Sequence, residues 1–173
     1  ADLTDAKLQG VKSGGIQGRP KQLPTSSESE NSWIIQKGYL IGPEADLAGA
    51  DLRRANLKDA DLSETNLRDA QLDYVTSGGI IGTPKQLRYP DESLWGIING
   101  YVVGPNVNLS NADLNGQELA DLDLNRRGDK FNLTGADLSN ANLQGAKIYG
   151  DMCGVHLAQT NLDDADLSWI SSG

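Results

Sequence analysis

The stretch from 45 to 72 reads ADLAG ADLRR ANLKD ADLSE TNLRD AQL, and its period decides the fold. Leu47, Leu52, Leu57, Leu62, Leu67 and Leu72 recur every five residues. Two places before each stands a small residue (Ala45, Ala50, Ala55, Ala60, Thr65, Ala70), with Asp, Asn or Gln between. On an α-helix, five steps of about 100° rotate each Leu by roughly 140° from the last, so no apolar stripe forms. On a flat strand an odd period throws alternate leucines to opposite faces. The pattern requires a chain that turns a corner every five residues and sends Leu and Ala inward. That is a solenoid.

The motif A(D/N)LXX, held over many consecutive units, resembles the pentapeptide-repeat family. The resemblance implies an all-β fold, a right-handed quadrilateral parallel β-helix with four pentapeptides per coil and roughly seven coils here. Stacked coils about 4.8 Å apart would bury their leucines only against neighbouring coils, at about 1.5–3 kcal/mol for each Leu. Residues 1–173 are expected to form a single domain.

Two passages interrupt the repeat. KQL before Pro24 and KQLRY before Pro90 lead into polar runs, after which WIIQKGYLIGP and LWGIINGYVVGP return the chain to register. Ser13, Gly18 and Leu23, and later Ser77, Gly82 and Leu87, occupy the five-step positions. The disruptions span about 24–41 and 88–103, each expected to hold a short strand or hairpin. They belong to a larger repeat of 62–64 residues (Gly42 to Gly104, Ser13 to Ser77) laid over the small one. Nine-residue steps from Leu124 to Leu133 and from Ile148 to Leu157 predict two short bulges, about 126–130 and 150–154, each a corner enlarged by four residues.

The net charge is −9 and aromatics make up 5% of the chain. Such acidity speaks against nucleic acid or an anionic membrane as partner and favours a protein. No apolar run approaches the roughly 20 residues of a membrane span. A soluble protein is expected, cytoplasmic or exported to a periplasm or thylakoid lumen. The chain opens inside a repeat at Ala1, which fits a mature exported form or a piece of a longer parent. The single Cys153 rules out an internal disulfide framework.

No catalytic, metal or cofactor site emerges. The carboxylates at the middle of the motif (Asp46, Asp51, Asp61, Asp113, Asp121, Asp137, Asp166) fill a slot that faces solvent and favours local turn hydrogen bonds. His156 is the only histidine and has no partner for a zinc or triad role. The glycine-rich runs 14–18 and 78–82 lack the GK[ST] of a phosphate loop. The expected function is therefore a non-catalytic structural or protein-interaction scaffold, an acidic rigid rod with an unidentified protein partner. The alternative is a DNA-mimicking, gyrase-binding protein of the quinolone-resistance type, which the resemblance brings with it. Trp33, Tyr39, Trp95 and Tyr101, the aromatics of the disruptions, are the candidate partner-binding residues, or else they fold back and seal the coil. End-to-end pairing of two copies through Trp169–Ile170 is a further expectation.

Overall fold

The structure is a computed structural model that describes residues 2–24, 33–87, 95–117 and 133–171. Each position of the repeat has one geometric duty. Leu47, Leu52, Leu57, Leu62, Leu67 and Leu72 are buried together with Ala45, Ala50, Ala55, Ala60 and Ala70. Thr65 replaces alanine and is also buried, its hydroxyl donating to the Gly42 carbonyl at 3.3 Å.

The corners are β-turns. The N–H of Ala50 donates to the Leu47 carbonyl at 3.0 Å, and that of Ala55 to Leu52 at 2.9 Å. The second turn residue is left-handed: Gly49 has φ 70°, Arg54 62°, Asp59 56° and Glu64 56°. This is the type II geometry, which ordinarily favours Gly or Asn there. Non-glycine residues in that conformation carry a cost, and the polar residue of the motif offsets it. The Asp51 Oδ1 accepts the Arg53 N–H at 3.2 Å, Asn56 that of Lys58 at 3.1 Å and Asp61 that of Ser63 at 2.9 Å. The middle slot holds Asp or Asn because the corner needs that acceptor.

Parallel bridges join Asp46 to Asn66, Asp51 to Gln71, Asn56 to Thr76 and Asp61 to Ile81, each an offset of 20 residues. Four repeats therefore bring the chain back over itself, and the main chain knits the layers: the Asn66 N–H donates to Ala45 C=O at 2.9 Å, and the Leu47 N–H to Asn66 C=O at 2.8 Å. Elsewhere the offset changes. It is 34 from Lys12 to Asp46, 32 from Thr76 to Asn108, 29 from Asn108 to Asp137, and 19 from Asp137 to His156.

The first two surpluses hold hairpins, β1 (Ile34–Gln36) with β2 (Tyr39–Ile41), and β3 (Gly96–Ile98) with β4 (Tyr101–Val103). The remaining strands, β5 (Lys147–Asp151) and β6 (Asp166–Ser171), pair in parallel. Among the described residues there are strands and bridges and no helix.

The 19-residue offset corrects the bulge expected at 150–154. The Val155 N–H donates to the Met152 carbonyl at 3.2 Å, an ordinary corner turn. The step from Ile148 to Leu157 is thus two repeats less one residue, not one repeat plus four. The missing residue is absorbed by a register shift between Lys147 and Tyr149 in β5. The bulge expected at 126–130 lies outside the described residues, as do parts of both disruptions, 25–32 and 88–94.

Candidate interaction surface

Both hairpins turn on two left-handed residues, Lys37–Gly38 (φ 50° and 81°) and Asn99–Gly100 (φ 47° and 76°). Such two-residue turns match the right-handed twist of the strands they join. Their tips are wedged between layers of the coil. At regular rungs the N–H of the polar residue donates to the small residue one layer below, as Gln71 does to Ala50 (2.9 Å) and Thr76 to Ala55 (3.0 Å). By the same count Asp51 would reach Ile16, and Asp113 would reach Ile80. Instead the Ile16 N–H donates to Gly38 C=O and the Ile80 N–H to Gly100 C=O, both at 3.0 Å. The N–H groups of Asp51 and Asp113 then find the hydroxyls of Tyr39 (3.4 Å) and Tyr101 (3.3 Å). Each tyrosine stands in for a missing coil carbonyl. Asp51 and Asp113 lie two columns apart, so the wedges open half a coil from each other.

The rest of each hairpin is stitched down in the same way. Ser13 and Ser77 occupy leucine positions because a hydroxyl is needed there: the Ser13 Oγ accepts the Leu40 N–H at 2.8 Å, and the Ser77 Oγ accepts the Val102 N–H at 2.9 Å. Trp33 and Trp95 are buried, with 6% and 4% of their surface exposed. They lie against Gly42 and Gly104, at leucine positions whose own side chain is missing. Tyr39 and Tyr101 are half-buried over Gly14 and Gly78. The four aromatics expected from sequence are thus split into two equivalent sets, one in each wedge, with the indoles inside the core. The roles of Ser13, Ser77, Gly42 and Gly104 escaped the sequence reading, although their recurrence at 62–64 residues was the available signal.

The outer surface mixes charges. Arg53 pairs with Asp51 at 2.8 Å, Lys85 with Glu64 at 3.2 Å and Arg68 with Asp69 at 3.4 Å, all well exposed. Pairs of this kind contribute little stability, but they interrupt any continuous acidic face. The Arg53 guanidinium holds the Asp51 carboxyl well below the usual carboxylate range. The Arg54 guanidinium stands 5.7 Å from the centre of the exposed Tyr74 ring. Cys153 and His156 are exposed. Among the described residues no group of His, Cys, Asp and Glu could hold a metal ion, and no helix is long and apolar enough to cross a membrane.

A strand-and-bridge coil with a five-residue step, closed by inward Leu and Ala, defines a repeat solenoid. The family model of pentapeptide repeats matches residues 44–75 and 129–150, in eight copies. The chain therefore carries pentapeptide repeats over those segments, and the five-residue step of its coil runs through them. The structures it is similar to include Rfr23, a pentapeptide repeat protein from the cyanobacterium Cyanothece 51142, at 27% identity over 68% of this chain and 60% of that one, with a TM-score of 0.34. Another is HetL, a pentapeptide repeat protein involved in heterocyst differentiation regulation in Nostoc sp. strain PCC 7120, at 24% identity over 75% of this chain and 52% of that one, TM-score 0.29. A third is QnrB1, a plasmid-mediated fluoroquinolone resistance protein, at 18% identity over 75% of this chain and 58% of that one, TM-score 0.20. The chain therefore spans 52–60% of the length of these structures. No curated protein matches the sequence.

Proposed function

We propose that the chain is a non-catalytic interaction scaffold: a right-handed, four-sided rod of about seven coils that offers its polar sides and two wedged hairpins to a protein partner. One observation supports this most. The carboxylates of Asp51, Asp61, Asp113 and Asp137 each accept the N–H two residues on, so the acids repeated along the rod belong to its corners and not to a reaction centre. Net charge −9 makes a protein the natural partner, ahead of nucleic acid or an anionic membrane.

The aromatics Trp33, Tyr39, Trp95 and Tyr101 enter this reading as the residues that hold the hairpins in place. Buried indoles give a partner little surface, so the solvent-facing sides of the hairpins and coils carry recognition. The exposed Arg53–Asp51, Lys85–Glu64 and Arg68–Asp69 pairs weigh against the duplex-mimicking alternative.

Affinity capture from the source cell tests the scaffold. The folded chain should retain a defined protein that a denatured control does not. Retention of nothing above that control would overturn the reading. Protection of gyrase from a quinolone in a supercoiling assay would replace it with the duplex mimic.

A further inference from the structure

A groove of about 470 Å³ runs between the chain at Arg19–Pro20–Lys21 and the outer strand β1, with Trp33 at its far end. A second hollow of about 210 Å³ shares Arg19, Pro20 and Ile35 with it, so the two adjoin. Three features of this groove point to the same occupant.

The first is main-chain polarity. The two-residue turn makes Gln36–Tyr39 and Ile34–Ile41 the hydrogen-bonded pairs of the hairpin and leaves Ile35–Leu40 as the non-bonded pair between them. Leu40 shows the consequence on one side, its N–H pointing away from β1 to the Ser13 hydroxyl. The N–H and C=O of Ile35 face away from β2, Ile35 itself lines the groove, and no described residue takes them up. β2 is stitched to the coil, whereas among the described residues β1 has no strand on its other side. Unpaired edges of this kind accept an added strand.

The second is charge. The Arg19 and Lys21 side chains are exposed on the opposite wall, with no carboxylate partner among the described residues. Among the described residues, none that lines either hollow is acidic. In a chain of net charge −9 this is a local basic strip. The third is apolar lining, to which Leu23, Ile34 and Ile35 contribute, beside which an extended segment can lay apolar side chains.

We infer that the β1 edge docks an extended acidic peptide from another protein, which adds a strand at Ile35 and sets its carboxylates against Arg19 and Lys21. This deepens the scaffold reading and rests on it.

The test is fluorescence anisotropy with a labelled decapeptide of alternating Glu and Val, against the whole chain. Saturable binding is expected, weakened by added salt. The double variant Arg19→Glu, Lys21→Glu should lose about tenfold in affinity, since two attractions become repulsions. Ile35→Pro removes the outward N–H without touching the hairpin's own bonds and should lose about fivefold. Lys58→Glu, outside the groove, should bind as the wild type does, and a Lys–Val decapeptide should not bind. Circular-dichroism melts of the charge variant keep folding out of the comparison. Equal binding by the charge variant and Lys58→Glu, or no binding by the wild type, overturns the inference. So does binding that emerges only after residues 25–30 are replaced by a glycine–serine linker, which would give the groove to the chain's own segment. A failed titration beside specific partner retention in the capture experiment would remove the groove and leave the scaffold standing.

Discussion

Trp33 lies flat on Gly42: a Cβ placed on that glycine would stand 2.3 Å from the indole Cδ2. The second wedge repeats the relationship, with 2.6 Å from a Gly104 Cβ to the Trp95 ring. Gly42 and Gly104 hold leucine positions, and in each hairpin a tryptophan nine residues earlier supplies the inward apolar mass that the glycine lacks. Neither glycine is in the left-handed region. They are glycines for space.

Gly42→Ala and Gly104→Ala should therefore each destabilise by about 1–3 kcal/mol, because a ring packed in the core cannot shift as a flexible chain end would. Gly49 offers the contrast: it has φ 70° and open space around it, so Gly49→Asn should be close to neutral. Urea melts decide this. A Gly42→Ala protein as stable as the wild type would mean that the indole does not sit there.

Leu62 is fully buried in the unbroken run, and its neighbour Asp61 faces outward. Leu62→Lys buries an unpaired ammonium and should cost several kcal/mol. Asp61→Asn keeps the acceptor for the Ser63 N–H and should leave the melt unchanged. Equal stability of the two variants would reverse the inward assignment.

Ser77 accepts the buried Val102 N–H, and its removal leaves that donor without an acceptor. Ser77→Ala should cost about 1–3 kcal/mol. In hydrogen-exchange measurements the Val102 amide should lose protection while that of Gln71 keeps it. Unchanged exchange at Val102 would rule out the serine stitch.

Acid should weaken the rod in a defined direction. The N–H of Ser139 first, and then the Ser139 hydroxyl, hold Asp137 below its ordinary value, and the Ser168 hydroxyl does the same for Asp166. A depressed carboxylate binds fewer protons folded than unfolded, so its contribution is complete above the unfolded value of about 3.9 and is lost as pH falls below it. Urea midpoints should be level between about pH 7 and 5 and decline below about pH 4. Asp137→Asn should shrink that decline. A midpoint that rises on acidification would contradict the corner hydrogen bonds.

The coil was legible because a five-residue period excludes helix and flat strand by geometry alone, and the Leu62 and Asp61 positions followed from it. The hairpins were legible as places, since Trp33 and Trp95 recur with Tyr39 and Tyr101. Their contacts were not. Which glycine a tryptophan covers depends on the 20-residue wrap and on where a hairpin tip inserts, so Gly42 could not be told from Gly18. The step from Ile148 to Leu157 was misread for a related reason. Nine residues are one repeat plus four or two repeats less one, and only the pairing of successive layers, Asp137 with His156 and Lys147 with Asp166, distinguishes them.

The central claim is that the hairpin aromatics are part of the coil, so that recognition falls to its outer surfaces. Trp95→Ala tests it most directly, by urea unfolding followed by circular dichroism and by capture of whatever partner the wild type retains. Loss of a buried indole should cost about 3–5 kcal/mol, and capture should fall only as far as the folded fraction falls. A variant with wild-type stability that no longer captures the partner would contradict the account and make Trp95 a binding anchor.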